Sequence, residues 1–232
     1  MDATRERLAG RRERGSEAPS ISEDRGLALL CPGDLNIYSV GISTAGVGEA
    51  RMARADPRRR VIATTVDPHG GAVARSFVAG EGLSGQIDVR IEDVRRTLPH
   101  PDEAFDFVYS RLALHYLTPV DLDRALRELR RVLRDERRLF CVVRSVAGMG
   151  VDSHTVRYDA ASHATIGVRP DGSTVRAERY LQTNASIVGH VERAGFVVES
   201  VADYDEVLFA DFERRLAPGP DHVIEVVAHR PG

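Results

Sequence analysis

The chain has 232 residues, which fits a single α/β domain with an insertion, because large α/β units often exceed the usual domain length of about 150 residues. Hydrophobic residues make up 42%, and the formal net charge of −3 argues against a nucleic-acid backbone as the partner. The sequence contains no lysine, which excludes Schiff-base lysine chemistry and the phosphate-binding lysine of a P-loop.

The N-terminal region, over residues 1–20, is a charged lead-in without the apolar stretch of a signal sequence. No later apolar run reaches the roughly 18 residues of a membrane span. Cys31 and Cys141 form neither a spaced metal motif nor a disulfide framework, so no metal is expected. These features predict a soluble, cytoplasmic protein whose partners include neither a membrane nor a nucleic acid.

The first part of the chain alternates apolar runs with helical patterns. A short amphipathic helix is predicted to start at a Ser22 cap and to end at Cys31-Pro32-Gly33. Apolar and β-branched runs predict buried strands, at 36–40, 61–66, 87–91, 105–109 and 138–143. Helical periodicity predicts helices between them, at 47–55, 70–80 and 119–133. Strands that alternate with helices indicate a parallel sheet with right-handed crossovers.

The pattern changes after residue 144. Pro170-Asp171-Gly172 separates two β-like runs, 164–169 and 173–177, which predicts a hairpin within an insertion over residues 145–183. A helix at 186–194 and strands at 196–201 and 222–229 follow. We therefore divide the chain into an N-terminal extension with a cap helix (1–33) and one domain (34–232), in which the insertion (145–183) forms a lid.

Ligands of an open parallel sheet bind outside the carboxyl ends of its strands, so the residues after each strand indicate the site. The first strand leads into Gly41-Ile-Ser43-Thr44-Ala-Gly46, where small residues would let a ligand approach the backbone and the helix N-terminus. A sharp turn between a strand and a helix needs glycine whatever is bound. The loop by itself therefore leaves both interpretations open.

Acidic residues follow the second and third strands. Asp67, before Pro68, can accept both ribose hydroxyls of a nucleoside, or it can simply cap the next helix. A carboxylate of Glu92-Asp93 can accept from an adenine amino group while Val94 holds the ring, and the alternative is a solvated turn. The order of these groups along the chain favours a nucleoside-containing cofactor.

The segment Leu98-Pro-His-Pro-Asp102, the run from Phe105 to Leu117 and the helix before Arg138-Leu-Phe resemble class I S-adenosylmethionine-dependent methyltransferases of the small-molecule type. The resemblance spans about residues 36–144. It implies a Rossmann-like, doubly wound, mostly parallel seven-stranded α/β sheet with the insertion after strand five, and S-adenosylmethionine as the cofactor. The chain departs from the family at Ser39, which replaces an acid, at Ser43 and Ala45, which replace glycines, and at the 134–137 turn, which lacks Pro-Gly-Gly.

The resemblance also implies which residues hold the cofactor. The loop from Gly41 would hold the methionine part, Asp67 the ribose, and Asp93 with Val94 the adenine, while Arg111 and His115 border the cofactor and acceptor pocket. The complete predicted cofactor set lies at the ends of the first four strands and comprises Ser39, Gly41, Ser43, Thr44, Gly46, Asp67, Pro68, Glu92, Asp93, Val94 and Ser110.

The predicted catalytic residues are His115, Arg111 and Tyr116. Methyl transfer from a sulfonium needs mainly proximity, and sometimes a base for the acceptor. His115 is the best candidate for a base because it follows strand four and histidine titrates near neutral pH, although it could instead satisfy the carbonyls of its own turn. Arg144 could orient an acidic acceptor or form a surface ion pair. Other candidates near strand ends or in the insertion are His154, His163 and Tyr180.

The sequence thus predicts a bacterial S-adenosylmethionine-dependent methyltransferase that acts on a small-molecule methyl acceptor, such as a secondary metabolite, as a monomer or homodimer. Two alternatives stay open. A dinucleotide-dependent oxidoreductase would share the glycine loop and the acid after strand two, although the loop here is not Gly-x-Gly-x-x-Gly. A degenerate methyltransferase-like cofactor-binding protein or subunit without methyl transfer would explain the altered loop.

Overall fold

The computed structural model describes residues 20–42, 46–148, 155–159, 164–168, 174–208 and 220–232. The strands within these residues are β1 Asn36–Val40, β2 Arg60–Thr65, β3 Ile87–Ile91, β4 Phe105–Arg111, β5 Leu133–Arg144, β6 Thr155–Asp159, β7 Ala164–Val168, β8 Thr174–Glu178, β9 Val197–Glu206 and β10 Asp221–His229. The α-helices are α1 Ile21–Ala28, α2 Val47–Ala55, α3 Pro68–Gly80, α4 Pro119–Val132 and α5 Asn184–Arg193. Two short 3-10 helices, Leu114–Tyr116 and Val146–Gly148, follow β4 and β5.

Seven of the described strands form one sheet in the order β3-β2-β1-β4-β5-β10-β9. β1 pairs in parallel with both β2 and β4, and the β2–β3 and β4–β5 pairs are also parallel. β10 is antiparallel to β5 and to β9. The sheet confirms the predicted doubly wound, Rossmann-like fold. The strand order reverses between β1 and β4, which opens a crevice at their carboxyl ends.

The core lies on both faces of this sheet. Along β1, the side chains alternate between two apolar clusters, with Ile37 in one and Tyr38 in the other. Every residue of β4 is buried, as expected for a central strand of a parallel sheet covered on both faces. The apolar stripe of α4 packs fully buried against the Tyr38 cluster, as its helical spacing predicts, through Leu122, Ala125, Leu126, Leu129 and Val132.

The N-terminal helix α1 begins at a different cap from the one predicted. Ser20, not Ser22, is the N-cap residue, and its hydroxyl accepts the Glu23 N–H, which is left without a partner inside the first turn of the helix. Ser22 instead accepts from the Nε of Arg111 at 2.6 Å. A β-carbon at Gly26 would lie 2.6 Å from both Tyr109 and Phe140, so α1 sits directly on the central strands.

The turn predicted at 134–137 is wrong, because β5 already starts at Leu133. Its pairing with β4 shifts register, so that Leu133 lies opposite Phe105 and Arg138 opposite Phe107. Glu136, in this irregular stretch, has a φ of 59° and donates its N–H to the Arg230 carbonyl at 2.8 Å. This long-range bond to the chain beyond β10 holds residues 134–137 within the strand, where the family resemblance implied a turn.

The insertion contains the predicted hairpin strands. β7 and β8 pair antiparallel, with Val168 opposite Thr174, while the predicted Pro170–Gly172 turn lies outside the described residues. β6, which was not predicted, adds to β7. α5 starts earlier than predicted because Thr183 forms a capping box with Ser186. None of the helices in the described parts of the chain combines the length and apolarity needed to cross a membrane.

Candidate functional site

A cavity of about 650 Å³ opens at the carboxyl ends of β1, β2, β3 and β4, a volume suited to a small-molecule ligand. The predicted site residues that line it are Gly41, Asp67, Glu92, Asp93, Val94, Arg111, His115 and Tyr116, together with Arg144. Ser39, Gly46, Pro68 and Ser110 do not line it. Ser43 and Thr44, and the candidates His154 and His163, lie outside the described residues.

The backbone after β1 requires glycine at position 41. Gly41 has a φ of 70°, and a β-carbon there would lie only 2.4 Å from the β-carbon of Ala113, which follows β4. Gly46, with a φ of 88°, is the N-cap residue of α2. The loop therefore approaches the neighbouring strand end closely at a wall of the cavity.

Replacing Gly41 should cost more stability than positive φ alone explains. Gly41→Ala should lower the free energy of unfolding by more than Gly82→Ala, since Gly82 has nearly the same φ, 71°, but no atom within 4 Å of the place that a β-carbon would take. The Gly82 change should cost about 1 kcal/mol or slightly more. Urea unfolding measures both. Equal losses, or no partial rescue by Ala113→Gly in the Gly41 variant, would contradict the close contact.

The carboxylate of Glu49 is buried next to Ser39, the position at which the family motif has an acidic residue. Ser39 and Glu49 are both fully buried, and the Ser39 hydroxyl donates to Oε1 of Glu49 at 2.6 Å. Glu49 belongs to the first turn of α2, where a carboxylate is favoured by the helix dipole. The sequence prediction missed Glu49. Its only sequence signal is an acid in the first turn of the helix that follows the loop.

Asp67 has the capping role and also faces the cavity. Its two carboxylate oxygens accept the N–H groups of His69 and Gly70, at 3.0 and 2.9 Å, which starts α3 with Pro68 at its first position. A carboxylate oxygen can accept more than one hydrogen bond, so the cap leaves acceptor capacity toward the cavity. The two interpretations of Asp67 are compatible.

The two acids after β3 have different surroundings. Oε2 of Glu92 accepts from the Tyr38 hydroxyl at 2.9 Å and from Nε2 of His100 at 3.1 Å, and the pKa of Tyr38 is raised by burial and then by Glu92. The guanidinium of Arg95 donates to both oxygens of Asp93, which lowers the pKa of that carboxyl. Both carboxylates thus have protein partners, and Val94 provides an apolar surface beside them.

Arg111 joins three distant parts of the chain. Its Nε donates to Ser22 and its Nη2 to Ser20, while Nη2 lies 3.5 Å from Glu206 at the end of β9. Ser20 donates to the same Glu206 oxygen. These contacts account for the burial of the guanidinium and fasten α1 to the sheet, and the catalytic role of Arg111 stays a prediction.

His115 is a buried polar side chain of this cavity whose ring nitrogens lack hydrogen-bond partners in the described part of the chain. It is 1% exposed. Burial lowers the pKa of His115 well below its usual value, and the nearby Arg144 and Arg179 lower it further. The ring therefore does not satisfy its own turn. Half-exposed Tyr116 packs against it, with 4.4 Å between ring centroids.

Arg144 does not form a surface ion pair, which was one of the two roles that the sequence left open for it. Nη1 donates to Oδ1 of Asp221 at 2.8 Å, whereas the buried Nε has no partner among the described residues. Burial lowers the pKa of Arg144 despite the Asp221 charge. Tyr180, another candidate, donates its backbone N–H to the His115 carbonyl at 2.7 Å, which brings the end of the insertion to the cavity.

The sequence is similar to known proteins over the region that builds this cavity. Residues 43–141 match the family described as Methyltransferase domain. The uncharacterized methyltransferase YcgJ of Bacillus subtilis (strain 168) is 29% identical over 124 residues, which cover 52% of this chain and 46% of YcgJ. The chain therefore matches about half the length of this curated relative.

Solved structures share the fold over most of the chain. A SAM-dependent methyltransferase from Methanosarcina mazei superposes with a TM-score of 0.68 at 16% identity, covering 87% of this chain and 94% of the other. The [4+2]-cyclase SpnF superposes with a TM-score of 0.62 at 20% identity, covering 90% and 78%. The methyltransferase-domain match over residues 43–141, the curated relative and the shared fold support a class I S-adenosylmethionine-dependent methyltransferase, and they imply S-adenosylmethionine as the cofactor.

Proposed function

We propose that the protein transfers a methyl group from S-adenosylmethionine to a small-molecule acceptor bound in the same cavity. The observation that carries this proposal is the order of groups around the cavity, from Gly41 and Asp67 to the imidazole of His115, which has no hydrogen-bond partner among the residues that the structure describes. The first two fit a nucleoside cofactor, and the last fits a group that accepts a proton. We further propose that the protein is cytoplasmic and works as a monomer or homodimer.

The residues present fit S-adenosylmethionine in four respects. Asp67 retains acceptor capacity for the ribose hydroxyls, and Val94 offers an apolar contact for the adenine. Gly41 leaves the backbone without a side chain where the methionine part would approach. Glu49 supplies the negative charge that suits the cofactor's ammonium group, from α2 rather than from β1.

The cofactor's sulfonium supplies an electrophilic methyl group, and the acceptor must supply the electron pair and lose a proton. His115 is uncharged at neutral pH because its pKa is lowered, so a ring nitrogen can accept that proton. Its burial keeps water from the same position. The positive charges of Arg144 and Arg179 limit its basicity, so the acceptor must already be a moderately acidic nucleophile.

We propose the domain division given by the sequence, with residues 34–232 as one methyltransferase domain and the insertion at 145–183 on the acceptor side. Two contacts at its end support this placement. The Tyr180 N–H binds the His115 carbonyl, and the guanidinium of Arg179 lies over the Tyr116 ring, 5.7 Å from its centroid. The insertion thereby returns to the main domain next to the proposed base.

A thermal-shift comparison of S-adenosylmethionine, S-adenosylhomocysteine, NAD and NADP tests the function. S-adenosylhomocysteine at a hundred times its dissociation constant should add about 2.7 kcal/mol to the free energy of unfolding, and the dinucleotides should add none. Asp67→Asn should weaken S-adenosylhomocysteine binding by about 10- to 150-fold, the usual range for hydrogen bonds to a charged group. Titration calorimetry measures that affinity.

Asparagine separates the two roles of Asp67, because it caps helices about as well as aspartate does. Asp67→Asn keeps one of the two cap bonds through its amide oxygen, so it should lose less stability than Asp67→Ala, which removes both bonds and should also lose affinity. Unchanged affinity in Asp67→Asn would reduce Asp67 to a cap. Stabilisation by NAD in place of S-adenosylhomocysteine would favour an oxidoreductase.

A further inference from the structure

We propose that the methyl acceptor carries an oxyanion, a carboxylate or a phosphate, which Arg144 and Arg179 bind beside His115. This inference rests on the proposed function, since it concerns the acceptor end of the same cavity. The oxyanion anchors the acceptor and is distinct from the atom that is methylated. The acceptor is thus an acidic small molecule.

Arg144 has binding capacity that its protein partner does not use. It extends from the end of β5 into the cavity lining, and Asp221 takes only Nη1. The Nε–H is buried and unpartnered within the described part of the chain. A buried donor without an acceptor costs free energy, and a guanidinium fork offers parallel donors that match an oxyanion. Arg144 therefore has room for one more acceptor.

Arg179 is placed next to it by the main chain. The Tyr180 N–H binds the His115 carbonyl, and the Gln182 N–H binds the Arg144 carbonyl at 3.0 Å. Arg179 also has a buried Nε without a hydrogen-bond partner, and it forms no ion pair with any residue that the structure describes. Its cation–π contact with Tyr116 leaves its charge uncompensated.

The charges around His115 do not balance among the described residues. Arg111 faces Glu206 and Arg144 faces Asp221, whereas Arg179 faces no carboxylate within the described parts of the chain. Two guanidinium groups that act electrostatically on one buried imidazole are unfavourable unless a negative charge accompanies them. An oxyanion of the acceptor would accept hydrogen bonds from the guanidinium groups of Arg144 and Arg179 and would supply that negative charge.

Matched pairs of acidic and neutral probes test this proposal on protein saturated with S-adenosylhomocysteine. Benzoate is compared with benzamide, and phenyl phosphate with phenol, by titration calorimetry. We expect at least one acid to bind and its neutral partner to bind at least tenfold more weakly. Arg179→Gln should weaken the binding of that acid about tenfold or more, as for a lost charge-assisted hydrogen bond. The acid that binds more tightly tells carboxylate from phosphate.

Arg58→Gln is the matched control, because Arg58 is exposed and paired with Asp56 in the turn before β2. This variant should bind the acids like the wild type, and Arg179→Gln should keep its affinity for S-adenosylhomocysteine. Equal binding of acids and neutral partners, no binding of either acid, or equal losses in both variants would overturn the oxyanion site. Failure to bind S-adenosylhomocysteine would instead refute the proposed function.

Discussion

Glu49→Gln should weaken the binding of S-adenosylhomocysteine by about 30-fold or more, the usual result of removing one charge from a buried hydrogen-bonded pair. The reason is that Glu49, beside Ser39, provides the carboxylate that the family motif places on β1. Glutamine keeps the size of the side chain and an acceptor for the Ser39 hydroxyl. Calorimetry measures the affinity, and thermal unfolding without ligand should change little.

Two further variants decide whether charge at this place matters. Glu23→Gln removes another fully buried glutamate, one that pairs with Arg51 of α2, and it should alter stability but not cofactor affinity. Ser39→Asp with Glu49→Ala returns the carboxylate to β1 and should bind better than Glu49→Ala alone. Wild-type affinity in Glu49→Gln would show that Glu49 only stabilises the start of α2.

The strand ends of the site could be predicted from the sequence because each signal is local. An apolar run followed by Gly41 or by Asp67 shows both the strand and its end, and parallel pairing then brings those ends to one edge. The same locality explains why Asp67 was predicted correctly as a possible cap. The position of these residues follows from the fold, whereas their ligand contacts remain proposals.

Contacts between distant residues could not be predicted in the same way. Arg111 binds Ser20 across 91 positions of sequence, and Glu206 joins them from β9. No local pattern distinguishes such an arginine from one that meets a ligand. The Ser39–Glu49 hydrogen bond was not predicted for a related reason, because its geometry depends on how α2 packs back against β1. Side-chain roles in this site are set by tertiary packing.

The insertion shows the same limit. The pattern around Pro170 predicts the β7–β8 hairpin, because alternation and turn residues are local signals. The return of the chain past His115 depends instead on backbone bonds from Tyr180 and Gln182 to other strand ends. Arg179 therefore did not stand out among the many arginines of the sequence.

His115→Phe should lower turnover by roughly 10²–10⁴, the usual contribution of a general base. Phenylalanine keeps an aromatic ring against Tyr116 and removes both nitrogens, so affinity for S-adenosylhomocysteine should stay close to that of the wild type. The assay uses an acceptor selected from acids that bind beside Arg179. Wild-type turnover in His115→Phe would contradict the base, and transfer would then depend on proximity and on the acidity of the acceptor itself.

The titration of His115 gives a second, independent measurement. Because burial and the two arginines lower its pKa in the folded state, the unfolded chain binds a proton that the folded chain does not once the pH falls below about 6.5. Stability linked to His115 is therefore present above that pH and is lost as the pH falls. Below about pH 6.5, the free energy of unfolding of the wild type should fall more steeply than that of His115→Phe, by up to about 1.4 kcal/mol per pH unit. In the pH profile of kcat/KM, the loss of activity on the acid side should have its midpoint below about pH 6.5, because that midpoint reports the pKa of the base. A midpoint at or above about pH 7 would mean that another group accepts the proton.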